Sequence, residues 1–276
     1  MENCAFIDIV TTGNDLYGRN NCPIQFCCEI FPLSEVFNKE KFYNPTRVKK
    51  FNIVPDEEIL TTGCIRSSGL TKEYLEKSVD SKTCFPLKDG LLVAYKLLSL
   101  LKDKGMFIVG YNHVAYDLEI LNKNFERVLD LDLDPVEFPN DRILDVMKLA
   151  EICIPLDKIG NYTMESVFTY ISDNHSAMNS EYQKWGRSAS TDIRITKTIL
   201  TSLMDMNESF SDLVKRINEP HEVKIMNFGK YKGAPLEVVF ENDKQYCNWL
   251  IRNKDISRTN PSLVNSIKKM LNTVVE

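Results

Sequence analysis

Histidine, paired cysteine motifs and long apolar runs are scarce or missing in this chain, and each shortage removes a class of protein. Only three histidines occur in 276 residues, and the eight cysteines, Cys4, Cys22, Cys27, Cys28, Cys64, Cys84, Cys153 and Cys247, form no CxxC pair. A zinc site of clustered thiolates and imidazoles is therefore not expected, nor is a disulfide framework in a chain this long. The thiols read as mostly buried and reduced. No run of about 18 apolar residues exists, so no membrane-spanning helix and no membrane partner are expected. The opening MENCAFIDIV lacks the basic start and long apolar stretch of a signal peptide, which predicts an intracellular, cytoplasmic protein. A basic excess is missing too, since the net charge is −5. That balance does not advertise a polyanion binder, yet an acidic cluster can hold an anion through bound cations. What is present is ordinary for a globular protein: 43% hydrophobic and 26% charged residues, in a chain long enough for a main domain plus an appendage.

The apolar pattern alternates between short β-prone runs and helical periodicity. AFIDIV (5–10), Pro23–Phe31 and Val48–Val54 read as an antiparallel start to a sheet. Residues 56–82 look irregular and partly helical. Leu87–Leu101 has helical spacing, Met106–Gly110 reads as a buried strand, and Val114–Phe125 resumes the helical period. Ile143–Ile152, ended by Pro155, then Met164–Ile171 and Ile193–Met206 complete the expected helices. This order predicts an α/β domain with a mixed sheet.

Composition shifts after about residue 207. The stretch 207–222 is polar and reads as a connector, and a compact segment follows. From His221 onward nine Lys/Arg face six Asp/Glu, a net of +3, whereas the first 220 residues carry 25 against 33, a net of −8. The acidic part and the basic tail are expected to do different jobs. The boundaries read from sequence are 1–207, 208–222 and 223–276.

Four polar residues stand where chemistry is expected. Asp8 interrupts an apolar strand, where a carboxylate is costly unless something binds it or it caps the following turn. Asp117 follows a strand and opens a helix, the end of an α/β sheet where ligands gather; an ordinary helix N-terminal acid would look the same. Asp192 precedes IRITKTIL, where a helix cap is the plain reading, and His175 is one of only three histidines.

Taken together and in this order, they resemble the DEDDh branch of the DnaQ-like 3′-5′ exonucleases. FIDIVTTG (6–13) is similar to the first motif, GYNHVAYDLEIL (110–121) to the second, and HSA (175–177) with TDIRITKTIL (191–200) to the third. SSGLTKEYL (67–75) and ILDVMKLA (143–150) are softer matches. FGKYKGAPLEVVFENDKQYCNWLIRN (228–253) resembles the small C-terminal module of exonuclease X-like enzymes, with Trp249 and Leu250 expected in its core. The resemblance implies a ribonuclease H-like mixed sheet flanked by helices, plus that module. It implies metal-dependent 3′-5′ hydrolysis of nucleic acid, DNA favoured over RNA, releasing nucleoside 5′-monophosphates. Asp8, Asp117 and Asp192 would hold two ions, Mg²⁺ or Mn²⁺, and His175 would be the general base. Thr11, Thr12, Asn112, Lys230, Tyr231 and Lys232 are the implied substrate contacts, and single-stranded nucleic acid or 3′ ends of duplex DNA the implied partners.

The sequence departs from that family at Val10, where the family has a glutamate; Asp15 and Glu29 are the candidate substitutes. It departs again in the third motif, where sixteen residues separate His175 from Asp192 instead of about four. MNSEYQKWGRSAS therefore reads as an insertion whose Tyr182, Lys184, Trp185 and Arg187 line a substrate channel, form a lid or make a plain loop. The alternative that Val10 opens is a degenerate fold that binds nucleic acid or a protein without cutting.

Overall fold

The computed structural model describes residues 2–13, 21–36, 44–55, 60–79, 83–129, 133–173, 176–205, 208–219, 221–226, 228–253, 256–257 and 260–273. His175 and Asp15 lie outside the described residues.

Six strands make one mixed sheet: β1 (Asn3–Thr11), β2 (Pro23–Pro32), β3 (Arg47–Val54), β4 (Cys84–Pro86), β5 (Phe107–Gly110) and β6 (Ile143–Asp145), in the order β4-β3-β2-β1-β5-β6. β1, β2 and β3 run antiparallel, while β4, β5 and β6 each pair parallel with a neighbour. Alternation on β1 sends Cys4 and Phe6 into one core layer and Ala5, Ile7 and Ile9 into the other. The sheet is central, and helices cover both faces.

Helices, with a 3-10 turn at Asn140–Arg142, make up most of the rest of the described residues. α1 (Leu33–Val36), α2 (Thr62–Ser68), α3 (Lys72–Lys77), α4 (Leu87–Asp103) and α5 (Asp117–Leu129) come first. α6 (Val146–Cys153), α7 (Leu156–Ile159), α8 (Met164–Ser172), α9 (Ala177–Trp185), α10 (Ala189–Leu203) and α11 (Phe210–Asn218) follow. α12 (Leu236–Asn242), α13 (Lys244–Arg252) and α14 (Pro261–Thr273) end the chain. α4 buries Leu87, Gly90, Leu91, Ala94, Leu98 and Leu101 as one stripe at helical spacing. Gly90 is required there, because an added Cβ would lie 2.8 Å from Ile53. α4 and α5 pack on one face of the sheet; α6, α8, α10 and α11 pack on the other.

Four expectations change. Ile143–Ile152 is a short strand, β6, running directly into α6, with the Asp145 side chain accepting from Met147 N at 3.0 Å to cap the helix. Three residues are too few for periodicity to separate from the helix behind them. The stretch read as a connector carries α11, whose Phe210, Leu213, Val214 and Ile217 join the main core. MNSEYQKWGRSAS is mostly helical, as α9. Trp249 is 52% exposed rather than a core residue; Leu250, Cys247, Met226, Leu236, Phe240 and Ile267 fill the core of the C-terminal part.

Seven of the eight cysteines are buried and Cys153 is exposed, all as free thiols. Among the described residues no helix is long and apolar enough to cross a membrane.

One ion pair is sealed into the layer beneath α10. Lys197 and Glu29 bond to each other with side chains only 3% and 13% exposed, and the Lys197 ammonium stands 3.9 Å from the Phe31 ring centroid. Removing one partner strands the other charge. Lys197→Ala is expected to lower stability by about 3–5 kcal/mol, whereas Lys197→Met combined with Glu29→Leu recovers most of that loss. Denaturant unfolding of the two variants checks this.

Candidate active site

β1 is longer than its parallel neighbour, and the candidate site begins at that mismatch. β1 pairs with β5 only through Cys4, Ala5 and Phe6, and β5 stops at Gly110, while β1 runs on to Thr11. The N–H of Ile9, past the end of that pairing, donates to Asp117 Oδ1 at 2.9 Å. The turn between β5 and α5 delivers this carboxylate. It is tight at Gly110, where an added Cβ would meet His113 Cβ at 2.6 Å. Asn112 takes a left-handed φ of 56°, donates its N–H to Asp145 Oδ1 at 2.9 Å, and accepts from Tyr116 N at 3.1 Å. Asn112 is therefore a turn-forming residue in this structure.

Asp8 lies one residue before Ile9 on the same strand. Its Oδ2 is out of solvent and has no hydrogen-bond partner, although the residue as a whole keeps partial exposure. Asp192 comes from the first turn of α10. The start of that helix is fastened to the sheet: Ala189 N donates to Gln25 Oε1 at 2.8 Å, and Lys50 Nζ to Ser190 Oγ at 2.7 Å. Thr191 N also bonds back to Ser188 Oγ at 3.3 Å.

The three carboxylates feel one another. Asp8 is held well above the usual carboxylate range by burial, then by Asp192 and Asp117. Asp117 is pushed up to about 8 by burial, with Asp145 and Asp192 adding to it and the hydrogen bond from Ile9 opposing it. Asp192 is raised to about 6 by burial, opposed by the Tyr182 hydrogen bond and by Arg187. Carboxylates are hard oxygen donors of the kind a divalent cation takes. Among the described residues, no three His, Cys, Asp or Glu side chains stand close enough to hold an ion as they are. One oxygen of Asp117 is engaged by Ile9 and one of Asp192 by Tyr182, while Asp8 Oδ2 has no partner. A divalent cation fits this unpartnered oxygen and the charge around it.

A pocket of about 280 Å³ opens beside Asp192, lined by Val10, Thr11, Cys64, Ser68, Tyr116, Tyr182, Arg187 and Ser188 among others. Val10 brings a partly buried methyl surface to this lining and no ligand. Glu29 does not replace the missing carboxylate, since Lys197 holds it. Thr11 closes the pocket wall: its Oγ1 donates to Gly13 O at 2.6 Å and shares a hydrogen bond with Tyr116 OH at 3.1 Å. Thr12 is buried and spends its hydroxyl on the β1–β2 connection, accepting from Cys22 N at 3.1 Å. Lys230, Tyr231 and Lys232 belong to the C-terminal part and do not line the pocket.

Two residues of the expected insertion become site residues. Tyr182 OH donates to Asp192 Oδ1 at 2.7 Å, and the Arg187 guanidinium stacks 4.4 Å from the Tyr182 ring centroid. A sequence signal for Arg187 exists. The usual spacing of about four residues before the last aspartate, counted back from Asp192, lands on Arg187 rather than His175.

Comparison with known proteins bears on the fold and on the C-terminal part. Residues 226–255 match the family model described as exodeoxyribonuclease X-like C-terminal. The fold resembles that of Escherichia coli exonuclease I, a ribonuclease H-like α/β architecture. Its zinc-bound complex with single-stranded DNA superposes with a TM-score of 0.53 at 18% identity, covering 77% of this chain and 42% of that one. Its complex with a dA16 oligonucleotide gives 0.54 at 16%, covering 78% and 43%. Its metal-free complex with single-stranded DNA gives 0.53 at 17%, covering 78% and 42%. The likeness is one of fold, and this chain spans less than half the length of the exonuclease I chains. No curated protein matches the chain.

The raised carboxylates set a pH dependence with a definite sign. A folded-state pKa above the unfolded value of about 3.9 means stability that is present in acid and lost as pH rises through the folded value. With divalent cations chelated, melting temperature is expected to fall between about pH 4 and pH 8, the upper end set by Asp117 at about 8. Asp117→Asn, which can still accept from Ile9 N, flattens that decline. Thermal denaturation of both proteins across the range, in chelator, measures it.

Proposed function

We propose that this chain is a metal-dependent 3′-5′ exonuclease acting on single-stranded nucleic acid, DNA in preference to RNA. The observation that carries the reading is the buried, unpartnered Oδ2 of Asp8, a carboxyl whose acidity is lowered by burial and then by both Asp192 and Asp117. The exonuclease I-like fold and the exonuclease X-like C-terminal match support it.

Asp8, Asp117 and Asp192 would hold the cations, with Asp8 Oδ2 the first ligand. Bound Mg²⁺ or Mn²⁺, two ions in the full set, would supply Lewis acidity at the scissile phosphate and the leaving 3′ oxygen. The remaining work falls to the protein's own groups. Arg187 lines the pocket beside Asp192, so its guanidinium is assigned to a non-bridging phosphate oxygen. Tyr182 orients Asp192 through its hydroxyl; its own proton is held by burial and by the Asp192 charge. His175 is assigned, as the family resemblance implies, to removing the proton from the attacking water. Release of a nucleoside 5′-monophosphate from a 3′ end follows.

Val10 argues for a slow enzyme rather than an absent one, because the three aspartates are kept while one ligand is lost. On 5′-labelled single strands with Mn²⁺, the parent is expected to give a ladder from the 3′ end. Asp8→Ala should abolish it. Arg187→Ala should slow it by roughly 10²-fold, with Arg187→Lys intermediate. Val10→Glu should accelerate it by adding a carboxylate to the pocket wall. Tight strand binding with no ladder from either the parent or Val10→Glu would replace this reading with a non-cutting binding module.

A further inference from the structure

The C-terminal part builds an aromatic stack and leaves its last ring open. Asp243 organises it. Its Oδ2 accepts from Lys230 Nζ at 2.8 Å and from Tyr231 OH at 2.9 Å, and its Oδ1 accepts from Tyr246 N at 2.9 Å to cap α13. Tyr231 meets Tyr246 edge-on, with ring centroids 5.2 Å apart, and Tyr246 stacks on Trp249 at 5.7 Å and 21°. Lys230 lies 4.8 Å and 4.9 Å from the Tyr231 and Tyr246 centroids. Gly229 is obligatory beneath the stack: its φ is 73°, and an added Cβ would stand 2.4 Å from Tyr246 OH. Lys230 and Tyr231, the substrate contacts expected from sequence, thus have fixed partners inside the fold.

The open position is Trp249. α13 buries Cys247 and Leu250 and turns Lys244, Gln245, Asn248, Trp249 and Arg252 outward. These five share one side of the helix. They amount to two cations, two amides and one indole, with no carboxylate among them. An exposed indole backed by a second ring is a platform for a planar group, and the flanking cations select an anionic chain. The amides can reach base edges or sugar oxygens. The net +3 of residues 221–276, against −8 for the rest of the chain, points the same way.

We infer that this face of α13 is a second, sequence-tolerant binding site for a single strand of nucleic acid, with one base stacked on Trp249 and phosphates on Lys244 and Arg252. It deepens the proposed function, because it would hold the strand away from the carboxylates while the 3′ end is in the pocket. Its physical basis lies wholly in the C-terminal part.

The chain has only two tryptophans, Trp185 and Trp249, so Trp185→Phe makes Trp249 the sole indole reporter. The full-length Trp185→Phe protein, in chelator to prevent cleavage, is titrated with short oligo(dT) and oligo(rU). Saturable quenching of Trp249 is expected. Adding Trp249→Ala should weaken strand binding about tenfold, read by anisotropy of a labelled strand. Lys244→Gln with Arg252→Gln, two exposed changes that leave the stack intact, should reduce the salt dependence of binding by about two ions. Strand binding without quenching, or unchanged affinity in Trp249→Ala and in the double glutamine variant, overturns the inference. Cleavage with Mn²⁺ is followed separately. A ladder without quenching removes this site and leaves the nuclease, and quenching without a ladder does the reverse.

Discussion

Everything at the candidate active site depends on one unpaired backbone donor. β1 outlasts β5, and the N–H of Ile9 cannot be satisfied by the strand beside it. A buried peptide donor left alone costs about as much as a lost hydrogen bond, so some acceptor must be brought there. The fold brings a carboxylate: Asp117 reaches back from the first residue of α5. That bond ties the first residue of α5 to β1. It also places a second negative charge near Asp8. Structural necessity and chemical opportunity coincide at Asp117, and the repulsion this creates is what a cation would relieve.

Much of this was legible in the sequence because it is written in local patterns. Short β-prone apolar runs placed β1, β2 and β3, and helical spacing placed α4, α8 and most of α10. Asp8 declared itself by breaking an apolar strand, and Asp117 by sitting between a strand and a helix. What stayed hidden was non-local. β4 and β6 have three residues each, too few to show a period. α11 looked like a connector because a polar half hides its buried stripe of Phe210, Leu213, Val214 and Ile217. Trp249 looked like core because indoles usually are, and only the packing of Cys247 and Leu250 decides which side of α13 turns inward.

The site residues divide the same way. Glu29 was a reasonable substitute for the carboxylate missing at Val10 until its buried partner Lys197 was in view. Thr12 and Asn112 fall within recognisable motifs, and the structure adds that the Thr12 hydroxyl braces the β1–β2 connection and the Asn112 backbone shapes its turn. Tyr182 and Arg187 were visible in the sequence as channel, lid or loop candidates in an apparent insertion, without a tie to Asp192. Their relation to Asp192 requires α9 to fold back against α10, a contact that no local pattern encodes.

That fold-back also bears on the charge balance of the pocket. Three acids and one missing glutamate would be a poor receptor for a phosphodiester if nothing positive stood beside them. Arg187 supplies a permanent positive charge, held against Tyr182, whose hydroxyl is in turn bonded to Asp192. The order of these contacts matters. A guanidinium free to reach the carboxylates directly would compete with a cation for the same oxygens; stacked on the tyrosine ring, it faces the pocket instead. With Val10 in place of a fourth acid, fewer negative charges need balancing, and one arginine goes further toward offsetting them. The valine and the arginine are then two parts of one electrostatic arrangement: fewer ligands for the ions, and a fixed cation beside the phosphate they would act on.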